Sequence, residues 1–503
     1  MTTFHRLSIP IRFPNGVAPG DGSDYNILKI ARNGRGQPVL RGSSIIGALR
    51  HAWETLRLGR EFSTEKKNEV QRMSDYYFGR ALKSVDSLPT KGDGKVGAEQ
   101  DITDSQSAGK VVRQESRLSV NDAILNPGPS TQVATHHRRN RHTGAVAGRA
   151  LFSVESCPRD TTATVTLWLE EDDDSGRDFF EALLGILVAG QRLGGKAARG
   201  FGNVAIDLNQ VQYRKYDGST EYGKYLDDHR TWRSDPNALL GGQPLKPLEI
   251  ADDSSLTVQV KLGIPRGQDV LFADGRGLEH DIEPERIVDA DGKPHWRLRG
   301  STMRGMLRAW FTRLAAKESP RSPRAVADNV TDYKKWHAGK KKGEFHSFED
   351  KMSEASCPVY ALFGSPSKRG RIHVSNAYAA CSTPVATKNG NDQPVELQQR
   401  MHVAVDRVTG GAAESMLFEN TVITSQLDEP FEVEIKIEDC QINEARWLSQ
   451  SLLALHLGII RVGSSKSSGR LEIVSLDVGT RKEDCKREFE RVTRQVSASH
   501  TGE

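Results

Sequence analysis

Apolar and polar residues alternate along HRLSIPIRF (His5–Phe13), which predicts a strand with one buried face. SLTVQVKLGI (Ser255–Ile264) repeats that alternation in the other half of the chain. ATVTLWLE (Ala163–Glu170) and FEVEIKIE (Phe431–Glu438) make a second pair of alternating strands. Elsewhere the period lengthens. RGSSIIGALRHAWETL (Arg41–Leu56) and RGSTMRGMLRAWFTRL (Arg299–Leu314) space their apolar residues as helices do, with Ser43 or Ser44 placed to cap the first. FFEALLGILVAGQRL (Phe179–Leu193) and RWLSQSLLALHLGII (Arg446–Ile460) predict a second helix in each half.

Five features recur in the same order, so the chain reads as two copies of one plan. DYNILKIARNGRGQPVLRGSS (Asp24–Ser44) answers DIEPERIVDADGKPHWRLRGST (Asp281–Thr302), and YYFG (Tyr76–Gly79) answers YALFG (Tyr360–Gly364). SRLSVNDA (Ser116–Ala123) answers GRIHVSNA (Gly370–Ala377), and NRHTGAVAGRALF (Asn140–Phe152) answers DRVTGGAAESMLF (Asp406–Phe418). Last, RLGGKAARGFGNV (Arg192–Val204) answers RVGSSKSSGRLEIV (Arg461–Val474). The element order suits an α+β architecture of two tandem ferredoxin-like, RRM-like β-α-β-β-α-β domains. The expected boundaries are 1–211 for the first domain, 212–250 for a polar linker, 251–480 for the second domain and 481–503 for a polar C-terminal tail. Two insertions interrupt the plan. Residues 84–114 lack aromatics and are expected to be a mobile loop. Residues 318–350 carry KKWHAGKKKGEFH, either a solvated loop or a cationic, aromatic contact for a single strand.

Composition narrows the function. The 503 residues carry a net charge of only +4, so nucleic-acid binding must rest on local patches. No apolar run is long enough to cross a bilayer, and MTTFHRLSIPIRF lacks the apolar core of an export signal. The five cysteines are scattered without CxxC or Cys/His spacing, which argues against zinc and for a reducing, cytoplasmic setting without a membrane partner.

The recurring helix starts and glycine loops suit a phosphate backbone. A helix tip offers unpaired N–H groups, Ser43, Ser44, Ser301 and Thr302 add hydroxyls, and Arg50, Arg304 and Arg308 follow within two turns. GGKAARGFG (Gly194–Gly202) and GSSKSSG (Gly463–Gly469) follow a helix and precede a strand, the reverse of a Walker loop, which removes support for nucleoside triphosphate binding. Gly194, Gly195, Lys196, Arg199, Ser464, Ser465 and Lys466 are the candidate contacts there. A third patch, HHRRNRHTG, contributes Arg138, Arg139 and Arg141, with Arg407 at the matching position in the second copy. Each of these features alone also fits an ordinary cap, a helix end or a solvated hairpin.

These motifs together resemble the RAMP superfamily of CRISPR-associated proteins. The resemblance is to the Cas seven-like, filament-forming backbone subunit of type III effector complexes, here a tandem fusion like those of type III-D systems. It spans both halves, about 1–210 and 250–480. It implies two palms holding guide RNA (crRNA), thumb hairpins near 125–150 and 385–417 inserted into the guide–target duplex, and other effector subunits as partners. It also implies cleavage of target RNA once per palm, by an Asp in the loop after the first strand, a divalent ion such as Mg²⁺, and the RNA's own 2′-hydroxyl. That loop holds Asp21 and Asp24 in the first copy and Asp274 and Asp281 in the second; alignment on the Gly-Ser motif favours Asp24 and Asp281 as catalytic and metal-binding. Two other readings stay open. One is a non-catalytic guide-RNA scaffold. The other is a guide-processing endonuclease of the same superfamily, using a histidine such as His5, His136, His137 or His142. A generic two-domain RNA-binding protein is a more distant third.

Overall fold

The computed structural model describes residues 2–21, 27–58, 64–79, 115–128, 130–139, 146–171, 175–249, 254–273, 283–318, 358–364, 369–382, 394–406, 408–463 and 469–500. In the first unit the alternating N-terminal stretch forms β1 (Thr3–Phe13), followed by β2 (Ile27–Leu28), β3 (Val39–Leu40), α1 (Gly42–Leu58) and α2 (Thr64–Phe78). Then come β4 (Leu118–Val120), β5 (Ala123–Ile124), the hairpin β6 (Gln132–Arg139) and β7 (Val146–Ser156), β8 (Thr161–Glu171), α3 (Gly176–Val188), β9 (Ala205–Ile206), β10 (Gln212–Asp217) and α4 (Tyr222–Ser234). The second unit runs β11 (Leu256–Gly263), β12 (Asp269–Val270), β13 (Arg286–Val288), β14 (Pro294–Leu298), α5 (Gly300–Glu318), α6 (Pro358–Phe363), β15 (Ile372–Val374) and β16 (Ala377–Ala380). It continues with the hairpin β17 (Leu397–Val405) and β18 (Ala412–Thr424), β19 (Phe431–Ile437), α7 (Ile442–His456), β20 (Glu472–Gly479), α8 (Glu483–Arg487) and α9 (Glu490–His500).

The two main sheets have the same antiparallel plan. Their strand orders, β10-β1-β8-β4 and β20-β11-β19 with β15 and β16 beyond it, are both the order last-first-third-second of a ferredoxin-like fold. On the inner faces Leu7, Ile9, Ile11 and Leu167 pack on Leu49, Trp53, Phe180 and Leu183, while Val258, Val260, Leu262 and Ile435 pack on Leu307, Phe311, Trp447 and Leu452. Burying one face of alternating residues against a helical stripe is what the sequence pattern demanded. The hairpins β6–β7 and β17–β18 lie in separate small sheets with β2 and β12, where thumbs were expected.

Two boundary expectations are corrected. The segment read as a linker belongs to the first unit: β10 pairs β1 from Thr3↔Asp217 to Ser8↔Gln212, and α4 roofs the outer face of that sheet. Trp168 points out of β8, and only such a roof buries it. It stacks on His229 with ring centroids 3.8 Å apart and packs with Tyr216, Trp232 and Leu240. Beneath the roof Arg6 is fully buried and donates to Asp228 at 2.6 Å and to the Leu240 carbonyl at 3.0 Å. The segment read as a polar tail forms α8, a short turn and α9, which send Cys485, Phe489, Val492 and Val496 into the second core. Among the described residues no helix is long and apolar enough to cross a membrane. Both insertions, 84–114 and 318–350, lie outside the described residues except for Glu318, which ends α5.

Candidate nucleic-acid interface

Both helix tips are built by one device. The Gly42 N–H donates to Asp122 Oδ1 at 2.9 Å, and the Gly300 N–H donates to Asn376 Oδ1 at 2.9 Å. A β-carbon on Gly42 would sit 2.2 Å from the Val120 carbonyl oxygen, and one on Gly300 would sit 2.4 Å from that of Val374. The glycine of each RGS motif is therefore fixed by a strand pressed against the helix start. At these tips Ser43, Ser44 and Thr302 are exposed and Ser301 is half-buried.

The glycine loops are likewise closed in one way. The Leu193 N–H donates to the Gly202 carbonyl at 2.9 Å, and the Val462 N–H to that of Gly469 at 2.8 Å. Within the first loop the Gly195 N–H bonds to the Ala18 carbonyl, Lys196 has the left-handed φ of 62°, and Ala197–Arg199 make a single tight turn. Gly194 and Gly195 let this loop lie along the segment that follows β1.

The first loop docks on the second unit. Arg192 is buried and pairs with Glu434 at 3.5 Å, and Glu434 also accepts from Asn203 at 3.2 Å and Gln259 at 2.8 Å. Burial, opposed by Glu434, pulls the Arg192 guanidinium down to about 10. Lys436 Nζ donates to the Ala189 carbonyl at 2.8 Å. A β-carbon on Gly200 would lie 2.5 Å from the Asn376 backbone nitrogen, so the loop touches the backbone of the residue that caps α5. The first thumb adds contacts: Arg299 donates to the Thr135 carbonyl, and Gln132 donates to that of Val288 at 2.7 Å.

This junction carries uncompensated positive charge. Burial, then Arg199, lowers Arg304 to about 10; burial also lowers Arg199, and burial with Arg199 lowers Lys196. Arg199 lies 4.6 Å over the Phe152 ring and Arg304 5.5 Å over Phe363. Arg199 Nη1 and Arg304 Nε are buried with no hydrogen-bond partner among the described residues. Glu285 does not serve them: burial would raise its carboxyl, but Arg297 and Arg299 outweigh that and hold it at about 2. Two desolvated guanidiniums with spare donors therefore lie beside an exposed helix tip, whose dipole end is also positive.

The histidines have structural surroundings. His136 stacks on Phe152 at 5.6 Å; burial, then Arg299, Arg199 and Arg297, pushes it down to about 3, so it is neutral at pH 7 and a weak proton acceptor. His5 is buried with Nδ1 against the Tyr213 hydroxyl at 2.8 Å. The His137 side chain and all of His142 lie outside the described residues.

Arg50 and Arg308 have an internal task that differs from the expected groove contact. Arg50 binds Glu54 and Asp75, each at 3.0 Å, and the Gly79 carbonyl at 2.8 Å, while Arg308 reaches the Gly364 carbonyl at 3.5 Å. Each pins the FG turn of its own unit, which explains why the Arg and the FG recur together. Arg138 and Arg139 are placed on β6 by backbone only, and Arg141, Arg407, Ser464, Ser465 and Lys466 lie outside the described residues.

Asp24 and Asp281 also lie outside the described residues, but their flanks correct the alignment that paired them. The Ala31 N–H bonds to the Pro19 carbonyl as that of Glu285 bonds to Phe272, and Val39 bonds to Ala31 as Arg297 bonds to Glu285. Ala31 and Val39 are eight residues apart and Glu285 and Arg297 twelve, so the second hairpin is four residues longer and counting back from the Gly-Ser motif slips by four. The bridges Gly20↔Ile30 and Ala273↔Pro284 then set Asp21 opposite Asp274, each directly after its bridge, and Asp281 opposite Ile27. Among the described residues no group of three His, Cys, Asp or Glu side chains is placed to hold a metal ion.

Sequence reasoning missed Arg192 and Glu434, whose pairing exists only across the two units, and Asn376, which caps α5 within its own unit and meets Gly200 of the other. No curated protein matches the chain. The family model of the RAMP superfamily matches residues 10–205 and again 268–472, once per structural unit, and the chain belongs to that superfamily.

Proposed function

We propose that this chain is a guide-RNA-binding backbone subunit of a type III CRISPR effector complex that cuts target RNA once per unit. Superfamily members bind RNA and act in multi-subunit CRISPR complexes. The observation that carries the reading is the junction at α5, where Lys196 and Arg199 of one unit lie by Ser301, Thr302 and Arg304 of the next, and Arg199 and Arg304 each keep a donor unspent. A backbone crossing it would follow the loop of one unit onto the helix tip of the other, reading phosphate rather than base, with sequence left to guide pairing. The thumb β17–β18 adds exposed Met401, Val403, Val405 and Val408, an apolar surface suited to base faces.

In the cutting step a target 2′-oxygen attacks the adjacent phosphorus, the P–O5′ bond breaks, and a 2′,3′-cyclic phosphate and a 5′-hydroxyl result. A loop carboxylate would take or orient the 2′-hydroxyl proton. Asp21 or Asp24 in the first loop, and Asp274 or Asp281 in the second, would hold a divalent ion such as Mg²⁺, which would supply charge neutralisation at the phosphate. Both acids of each loop are candidates, Asp21 and Asp24 with Asp274 and Asp281, because the backbone register favours Asp21 with Asp274. Asparagine at each, in the assembled complex with guide and Mg²⁺, followed by mapping of target fragments, tests this. Loss of one cut per substitution is expected. An unchanged fragment ladder for all four would leave a guide-binding scaffold. The neutral, buried state of His136 and the bonded state of His5 weigh against guide processing through those histidines.

A further inference from the structure

In each unit the segment that follows the first strand and carries the candidate acids is closed at its base by backbone hydrogen bonds, which make a neck. In the first neck the Ala31 N–H bonds to the Pro19 carbonyl at 2.8 Å and the Asp21 N–H to the Lys29 carbonyl at 3.2 Å. In the second the Glu285 N–H bonds to the Phe272 carbonyl at 2.9 Å, and Ala273 bridges Pro284.

One carboxylate fastens each neck to the hairpin β6–β7. Glu155, on β7, accepts from the Ile30 N–H at 3.1 Å, from Arg32 at 2.5 Å and from the Thr131 hydroxyl at 2.8 Å. It ties the returning side of the first neck to the hairpin. Glu285 lies in the second neck itself. Its two oxygens accept from Arg297 and Arg299 at 2.6–2.9 Å, and Arg299 donates onward to the Thr135 carbonyl on β6. Gln132, on the same strand, donates to the Val288 carbonyl of β13 at 2.7 Å.

The two carboxylates are alternatives and not copies. Hydrogen-bond register sets Ala31 where Glu285 stands. Counting from the matched Phe152 and Phe418 sets Thr421 where Glu155 stands. At these two positions each neck therefore has one carboxylate, from the hairpin in the first unit and from the neck in the second. Their side chains are only 11% and 6% exposed, and both meet arginine. Charge-assisted bonds of this kind hold geometry more firmly than neutral ones, and a loop presents a reacting group only as accurately as its ends are held.

We propose that Glu155 and Glu285 are positioning residues, one for each cut, and that the hairpin β6–β7 is the strut on which both necks are fixed. Each acts through its neck and not on the reacting atoms. The proposal rests on the cutting reading above and names what holds the loop acids in place.

Glu155→Gln and Glu285→Gln are compared in the assembled complex with guide, Mg²⁺ and saturating target, beside the Asp variants that assign each cut to its unit. Glu155→Gln should slow the first unit's cut about tenfold and leave the second's within about twofold, and Glu285→Gln should do the reverse. Target affinity should stay unchanged in both, whereas a merely structural loss lowers affinity and both cuts together. Equal slowing of the two cuts, or slowing of neither, overturns the proposal. Should Glu285→Gln not fold because Arg297 is left buried without its partner, Glu285→Gln/Arg297→Met removes both charges together. Amide hydrogen exchange of the free chain gives a reading that needs no cutting. Peptides spanning 27–32 should exchange about tenfold faster in Glu155→Gln alone, and those spanning 285–299 in the Glu285 variant alone. If no Asp variant removes a cut, the cutting reading and the positioning role fall together, and exchange alone judges the strut. Faster exchange confined to one neck per variant supports it, and unchanged exchange overturns it.

Discussion

Replacing Arg304 by methionine separates a structural arginine from one that waits for a phosphate. The guanidinium is lowered from its ordinary value to about 10, by burial first and Arg199 second. At about 1.4 kcal/mol per tenfold change in proton affinity, that drop sets about 3 kcal/mol against the charged form, an upper bound because part of the side chain stays hydrated. Methionine has similar length and no charge, so it escapes that cost. It gives up the hydrogen bond to the Phe363 carbonyl and the contact with the Phe363 ring, about 1 kcal/mol each. The free protein should therefore be as stable as wild type, or about 1 kcal/mol more so, by denaturant unfolding. Single-stranded RNA should bind about tenfold more weakly by fluorescence anisotropy, and the slope of log affinity on log salt should fall by about 0.7 for the lost phosphate contact. A stability loss above about 2 kcal/mol, with affinity and salt slope unchanged, would refute the reasoning and make Arg304 a packing residue.

Three further outcomes follow from the geometry. Glu434→Ala strands the buried Arg192 guanidinium and should cost about 3 kcal/mol in denaturant unfolding, whereas Arg192→Met, which removes the charge itself, should cost less than half as much. Gly42→Ala and Gly300→Ala each drive a methyl into a strand carbonyl and should cost about 3 kcal/mol, while Gly47→Ala and Gly305→Ala, with nothing within 4 Å, should be neutral or stabilising by about 0.5–1 kcal/mol in thermal melts. His136 titrates at about 3 when folded and near its ordinary value of about 6.5 when unfolded, so between those values the unfolded chain binds the extra proton and stability falls as pH drops. His136→Phe keeps the stack on Phe152 and should flatten the stability–pH slope between about pH 7 and 4 by up to one proton.

The duplication was legible because each motif answers a local need repeated in both units. The RGS glycine meets a strand carbonyl, the FG turn is pinned by an arginine, and the loop glycine passes under Leu193 or Val462. What escaped were relations between distant segments. The composition of 212–250 suggested a linker, yet Tyr222, Tyr225, His229 and Trp232 recur at helical spacing, and the outward Trp168 needed a cover. Val492 and Val496 share one face of α9, with Phe489 just before it, a signal diluted by the charged residues around them. Arg50 looked like a groove residue because nothing local shows Asp75 and Gly79 folding back onto it. The longer β13–β14 hairpin defeated counting, since motif spacing records residues and not hydrogen-bond register.

Photo-cross-linking of single-stranded RNA to the full chain, with mass-spectrometric mapping of the adducts, tests the shared RNA path most directly. Adducts are expected in the peptides around Lys196–Arg199, Ser43–Ser44 and Ser301–Arg304, and the first and last should vanish together in an Arg199→Met/Arg304→Met variant. Adducts confined to α4, α9 or the roofed face, and unchanged in that variant, would contradict it.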